Sequence, residues 1–327
     1  MSRRDLAALP KAHLHVHLEG AMRPSTLEEL SMVAGLPMPE VRGYGSFTAF
    51  VGMYRGACDA LRRPEDLARL VDEVVEDAAL AGAVWVEPAM YPAMHVGRIG
   101  TEEEILDIVL DALAAASHRH GIGAGLMVSA DRTEDPAGAV RHARLAVARR
   151  DRGVVAFGLA NDEVGFPPEP FEAAFALARE GGLLSTPHAG ELEGPASIVG
   201  ALDALGADRI QHGVRAVEDS ELVERLAEEG VCLDVCPTSN VMLSVFPSLE
   251  AHSLPVLLDA GVRCSINGDD PLLFGPGLLE EYELCRSAFG FDDRRLAYLA
   301  RCSVESSGAP AALKHRATAA VDTWLSG

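Results

Sequence analysis

Residues 11–20 read Lys-Ala-His-Leu-His-Val-His-Leu-Glu-Gly. His13, His15, His17 and Glu19 fall on one parity, and Ala12, Leu14, Val16 and Leu18 on the other. Successive side chains of a β-strand point to opposite faces, so the alternation predicts three imidazoles and a carboxylate on one side and an apolar row on the other. Helical spacing would scatter them. Histidines buried side by side are costly unless something that prefers neutral imidazole holds them, and a divalent metal does so. For a lone His-x-His the competing reading, three ordinary histidines on a solvated edge strand, stays open. What separates the two is the pattern further along the chain.

Outward from that strand, residues 23–36 read as a helix, with Pro24 and Ser25 at its start and Leu27, Leu30, Met32 and Val33 near helical period. Phe47, Phe50, Val51, Tyr54, Cys58 and Leu61 mark a second helix whose bulky stripe faces the core or walls a pocket. Residues 65–81 form a third helix and residues 83–90 a second strand. Strands at 122–130, 154–160, 183–188, 209–212, 231–236 and 262–267 then alternate with helices at 102–119, 136–150, 169–181, 195–205, 219–229 and 253–260. The sum is about eight βα units, the number that closes a parallel barrel. The expected fold is a single α/β domain, residues 1–327: a (β/α)8 barrel of TIM type with extra helices after the first strand. A doubly wound open sheet competes, but no Gly-x-Gly-x-x-Gly follows the first strand.

Composition excludes several classes. With 28 basic and 49 acidic residues the formal charge is -21, which opposes sequence-independent binding to nucleic acid or to an anionic membrane surface. Six cysteines are dispersed through the chain rather than set as a framework, which fits a reducing compartment, and residues 1–10 hold no run long enough for a signal or a membrane span. The expectation is a cytoplasmic protein whose partner is a small molecule.

In a βα barrel the active site lies at the carboxyl ends of the strands. Polar clusters stand there repeatedly: His15, His17 and Glu19 after strand one, Thr186 to Glu191 after strand five, Gln211-His212-Gly213 after strand six, and Asn267-Gly268-Asp269-Asp270-Pro271 after strand eight. His15, His17, His188 and Asp269 make a nitrogen-rich set with one hard oxygen donor, suited to zinc with a position open for water. Taken singly, His188 reads as a hydrogen-bonded core histidine and Asp-Pro as a turn. Two adjacent carboxylates behind a buried strand favour a cation.

Residues 9–24, His188-Ala189-Gly190-Glu191, Gln211-His212-Gly213-Val214, Cys236-Pro237-Thr238-Ser239-Asn240 and residues 265–271 resemble, in order and spacing, the adenosine deaminase family of the amidohydrolase superfamily. The resemblance spans essentially the whole chain. It implies one Zn2+ per chain held by His15, His17, His188 and Asp269. It implies that Glu191 is the proton shuttle facing the purine, that His212 and Asp270 flank the nucleophilic water, and that Glu19 and Gly20 lie near the sugar side. Asn161 stands where the family has a glycine whose amide meets the purine, so its side chain is expected to crowd the pocket.

Rival chemistries fit less well. Cytidine-deaminase-type zinc sites need His-x-Glu and Pro-Cys-x-x-Cys, whereas this chain has Cys232-x-x-x-Cys236. Two-metal relatives use a bridging lysine in mid-barrel, and the lysines here are Lys11 and Lys314. A binding module would be expected to have lost a ligand or Glu191. The expected function is hydrolytic deamination of a 6-aminopurine nucleoside, adenosine or a 5'-extended adenosine such as the aminodeoxyfutalosine of menaquinone synthesis, with Arg98 and Arg132 as candidate partners for an anionic extension. The alternatives are an adenine deaminase, since adenine-specific members of the family also carry glutamate at the first motif, and a non-deaminating mononuclear amidohydrolase.

Overall fold

The computed structural model describes residues 4–42 and 46–327. Its strands are β1 (Lys11–His17), β2 (Ala83–Met90), β3 (Gly123–Ala124), β4 (Leu126–Asp131), β5 (Val154–Ala160), β6 (Leu184–Ser185), β7 (His188–Ala189), β8 (Arg209–His212), β9 (Cys232–Val235) and β10 (Arg263–Ile266). They fill the eight expected strand positions in order, the third and the fifth each split in two. Pairing is parallel throughout, in a six-stranded sheet ordered β1-β2-β4-β5-β6, with β3 beside β2, and a four-stranded sheet ordered β10-β9-β8-β7.

The two sheets join at both edges. Between β6 and β7, Thr186 N donates to Phe157 O at 2.9 Å, while Pro187 O accepts from Gln211 N at 2.9 Å. Pro187 has no N–H to continue the first ladder, which breaks the strand there and hands it to its other neighbour. On the opposite side, Asp269 N donates to His15 O at 3.1 Å and His17 N to Asp269 O at 3.0 Å, a parallel bridge between β1 and the segment after β10. The result is a closed parallel α/β barrel.

Three helices, α1 (Pro24–Ala34), α2 (Phe47–Cys58) and α3 (Pro64–Leu80), lie between β1 and β2 as expected. The crossover helices follow: α4 (Glu102–His120), α5 (Pro136–Val147), α6 (Glu172–Glu180), α7 (Pro195–Asp203), α8 (Ser220–Glu229), the short α9 (Pro237–Met242) and α10 (Leu254–Asp259). The start of α4 shows why the boundaries are sharp: Thr101 Oγ1 accepts from Glu104 N and Glu104 Oε2 accepts from Thr101 N, a capping box that satisfies two otherwise orphaned donors. Four helices beyond β10 were not anticipated: α11 (Pro271–Phe274), α12 (Leu278–Ala288), α13 (Asp293–Ser306) and α14 (Ala311–Ser326). α13 packs against β1, β9 and β10 and closes the amino-terminal mouth of the barrel, where Ser303 Oγ accepts from Ala12 N at 2.8 Å. All six cysteines are buried free thiols, and among the described residues no helix is long and apolar enough to cross a membrane.

The barrel floor holds a fully buried ion triad. Arg209 donates to Glu87 Oε2 at 2.7 Å, to Asp234 Oδ2 at 2.9 Å and to Ser306 O at 2.9 Å. From Asp234 the polar column climbs through Ser265 Oγ, 2.7 Å from Asp234 Oδ1, to Asn267, whose Oδ1 accepts from Leu14 N and His15 N at 2.8 and 3.1 Å. Removing one member of a buried ion group strands the others in low dielectric. Arg209→Met is therefore expected to cost about 3–5 kcal/mol in urea unfolding; a loss under about 1 kcal/mol, the range of surface pairs, would contradict this account of the floor.

Candidate active site

The end of β1 delivers His15 and His17, β7 delivers His188, β8 delivers His212, and the bridge after β10 delivers Asp269 and Asp270. The His15 ring centroid lies 4.8 Å from that of His188 and 4.5 Å from that of His212, and the rings of His17 and His188 stack at 5.2 Å. Asp269 Oδ1 is 3.2 Å from His15 Nε2 and 3.3 Å from His17 Nε2. His212 Nε2 is 3.4 Å from Glu191 Oε1 and 3.9 Å from Asp269 Oδ2. His212 and Asp269 adopt left-handed backbone, φ 67 and 57 degrees, which disfavours residues with a Cβ. Such strain is tolerated where surrounding structure dictates where a side chain points.

These residues suit one divalent cation. His15 Nδ1 faces the Asp234 carbonyl at 3.1 Å and His188 Nδ1 the Leu159 carbonyl at 3.0 Å. A carbonyl can only accept, so each Nδ1 carries the proton and each Nε2 presents a lone pair to the centre. His15 Nε2 is buried with no hydrogen-bond partner. Donor atoms within 4.8 Å of one another form overlapping triplets here: His17 with Asp269 and Asp270; His15 with Cys236 and Asp269; His15 with His188 and His212; and Glu191 with His212 and Asp269. Burial would raise the Asp269 carboxyl, but His15, His17 and His212 outweigh it and hold Asp269 well below the usual carboxylate range. Burial pushes the carboxyls of Glu191 and Asp270 well up, and the charge of Asp269 adds to both shifts. One mouth thus holds an ionised carboxylate among imidazoles and two carboxyls that favour the protonated form.

A cavity of about 110 Å3 opens above the centre, walled by His17, Glu19, Tyr54, Asn161, Glu191 and Asp270 among others. Glu19 is buried, its Oε2 accepting from Tyr54 at 2.8 Å and its Oε1 lying 2.6 Å from His95 Nε2. Asn161 takes φ 81 degrees, a conformation glycine favours and asparagine tolerates. Its Nδ2 donates to Asp131 Oδ2 at 2.8 Å, so the side chain is tied to the end of β4. Gly20 is buried under Asp270: a Cβ there would stand 1.6 Å from Asp270 Oδ1. It is not on the cavity wall.

Some expectations from sequence need correcting. His13, which shares the parity of His15 and His17 but is not among the expected ligands, stands outside the cluster, where its Nε2 accepts from Gly268 N at 3.1 Å. The register runs His13 to Val86 and then Val16 to Pro88, so β1 gains one residue over β2 and the strict alternation is lost. Arg132 is not on a solvated loop but buried against the His188 carbonyl and Glu163, and Arg98 is engaged with Asp59 and the Met94 carbonyl. Neither lines the cavity; Arg55 of α2 does.

Other residues gain a place that sequence reading did not assign. Tyr54 and His95 clamp Glu19. The buried carboxylate of Glu163 accepts from the main-chain amides of Gly190, Glu191, Leu192 and Glu193 at 2.6–2.9 Å and from Ser197 Oγ at 2.7 Å, so it shapes the loop that carries Glu191. Four consecutive amides turned to one point have no signature in side-chain pattern.

Comparison with known proteins gives the family. The family model described as Adenosine deaminase matches residues 10–324. A Streptomyces coelicolor protein provisionally named adenosine/adenine deaminase is 45% identical, with 98% of each chain covered. The crystal structure of an adenine deaminase from Arthrobacter aurescens superposes with a TM-score of 0.91 at 31% identity, covering 97% of this chain and 99% of that one. An amidohydrolase from Burkholderia ambifaria with bound Zn superposes with a TM-score of 0.88 at 29% identity, covering 98% and 94%. Matched along almost its full length, the chain belongs to the adenosine deaminase family of the amidohydrolase superfamily.

Proposed function

We propose that the protein is a zinc-dependent hydrolytic deaminase acting in the cytoplasm on a 6-aminopurine, and that free adenine is its substrate. The observation that carries the reaction is the convergence, at one end of the barrel, of the His15, His17, His188 and Asp269 cluster with the buried carboxyl of Glu191. His15, His17, His188 and Asp269 would hold one Zn2+, as a structural relative holds Zn. When bound, the metal supplies the Lewis acidity that makes water a nucleophile near neutral pH.

The chain's own groups supply the proton transfers. Asp270, whose Oδ1 is buried without a hydrogen-bond partner, would be ionised once a cation's charge offsets its burial, and in that form it accepts one proton as the water oxygen bonds to C6. Electrons of the C6–N1 bond move to N1, which takes the proton that burial keeps on Glu191. The C6–N6 bond then breaks: the amino group leaves as ammonia with the proton held by Asp270, and the new hydroxyl returns its proton to Glu191. His212, 3.4 Å from Glu191, stands beside the incoming oxygen. Glu163 holds the Glu191 loop through its main-chain amides.

Glu19 favours the base over a nucleoside. A sugar hydroxyl at this end of the cavity needs an acceptor, and each Glu19 oxygen already takes one donor, from Tyr54 or His95, so the hydroxyl would have to share an oxygen that is engaged. The cavity, about 110 Å3, is also small beside the ~300–1,000 Å3 usual for drug-sized ligands.

With zinc-loaded protein, steady-state ammonia release should give kcat/KM for adenine at least about 10²-fold above adenosine and aminodeoxyfutalosine, as expected when a site's polar groups match one substrate and not another. Parity, or preference for a nucleoside, would overturn the choice of base. No turnover of any of the three would overturn the reaction. Glu191→Gln removes an ionisable proton while keeping shape, so kcat should fall about 10²–10⁴-fold with zinc content by elemental analysis unchanged; wild-type kcat would remove its role. Glu163→Gln leaves one acceptor where two serve five donors. It should lose about 1–3 kcal/mol in urea and lower kcat with zinc retained, and a variant with normal kcat and stability would refute the loop-holding role.

A further inference from the structure

Three histidines of the centre look alike in sequence, but the groups behind them differ. Behind His15 and His188 stand carbonyl oxygens. Behind His212 stands the side-chain amide of Asn240, with Nδ2 3.1 Å from His212 Nδ1. Asn240 Oδ1 is 3.2 Å from His252 Nε2, and His252 Nδ1 accepts from the backbone N–H of Leu254 at 3.0 Å. All three side chains are buried, at 1% exposure for His212, 0% for Asn240 and 3% for His252.

The direction of this relay is fixed from its far end. A main-chain N–H can only donate, so His252 Nδ1 is the accepting nitrogen and its ring proton sits on Nε2. That proton requires the oxygen of Asn240 opposite it. The amide nitrogen of Asn240 therefore faces His212 and donates, and His212 Nδ1 must accept. Rotating the amide would set N–H against N–H at His252. Protonating His252 at Nδ1 would set N–H against the Leu254 amide, and burial works against that charge, pushing the His252 imidazole down to about 4. His212 in its neutral form thus carries its proton on Nε2, the nitrogen facing Glu191 and Asp269.

We propose that Asn240 and His252 are positioning residues which, anchored by the Leu254 amide, hold His212 as the Nε2–H tautomer, making it a hydrogen-bond donor to the attacking oxygen rather than a metal ligand or the base. His15 and His188, with Nδ1–H, offer lone pairs to the centre; His212 offers a proton. The donor role rests on the deaminase reading above, whereas the tautomer rests on the hydrogen bonds alone. With His212 Nε2 already protonated, the first water proton goes to Asp270.

The test is long-range 1H–15N NMR on zinc-loaded protein labelled with 15N-histidine, with His212 and His252 assigned by substitution, together with adenine kinetics. The wild-type spectrum should show Nδ1 of both residues as unprotonated nitrogens and Nε2 as protonated; a protonated His212 Nδ1 overturns the proposal. Asn240→Asp puts an acceptor on both sides, so His212 should switch its proton to Nδ1 and kcat should fall about 10²-fold or more with KM within a few-fold. Asn240→Asp with wild-type kcat overturns the catalytic part. His252→Gln, which can still donate to Asn240 Oδ1, should keep the wild-type His212 pattern and kcat within a few-fold, while His252→Leu should not. Equal loss in both His252 variants would show mere packing and overturn the relay. The nitrogen shifts are read without substrate, so failure of the adenine reading registers in ammonia release and failure of this proposal in the spectrum.

Discussion

The two main-chain hydrogen bonds between β1 and Asp269 hold the site together. They join the first strand to the segment after the last one, and they require left-handed backbone at Asp269. The same bridge that closes the barrel therefore sets the Asp269 carboxylate between His15 and His17, and Asp270 over Gly20. Closure and the candidate chemistry are one constraint. A register slip at this seam would open the barrel and disperse the cluster together, because period-two side-chain alternation turns every one-residue shift into a change of face.

A second feature is how far main-chain groups decide side-chain chemistry. The carbonyls of Asp234 and Leu159 set the tautomers of His15 and His188, and the amide of Leu254 sets that of His212 through two intervening side chains. The reverse case is Glu163, a side chain that organises four main-chain amides in the loop of Glu191. Buried carboxylates of this kind are stable only when their lone pairs are filled, which makes such a loop stiff.

Much of this was legible in the sequence, and the reasons are local. Strand positions could be read from short apolar runs bounded by turn residues, and polar clusters at strand ends marked one mouth of the barrel. What could not be read depends on register and on long-range partners. His13 shares the parity of His15 and His17 in sequence, yet one extra residue in β1 takes it to Gly268. Arg132 follows a strand as a surface arginine would, but is buried because Glu163 and the His188 carbonyl come to it from later elements. The helices after β10 have no strand to follow them, so βα alternation gave no cue, although α13 seals the floor.

Glu19 shows how substrate choice can turn on a residue that never needs to touch the reacting atoms. In sequence it is one more carboxylate at the end of β1. In the fold it is filled by Tyr54, from the helix inserted after β1, and by His95, from the segment after β2. Burial alone would raise its pKa, but the hydrogen bonds and charge of His95, with Tyr54, hold it below the usual range. Each oxygen of this ionised carboxylate is first engaged by its own chain, one by Tyr54 and one by His95. The carboxylate ties Tyr54 at the cavity wall, and under the proposed reading a sugar hydroxyl would compete for oxygens already in use, whereas an aminopurine ring would not need them. On the proposed reading the insertion carrying α2 would select the ligand, and the barrel beneath it would supply the chemistry.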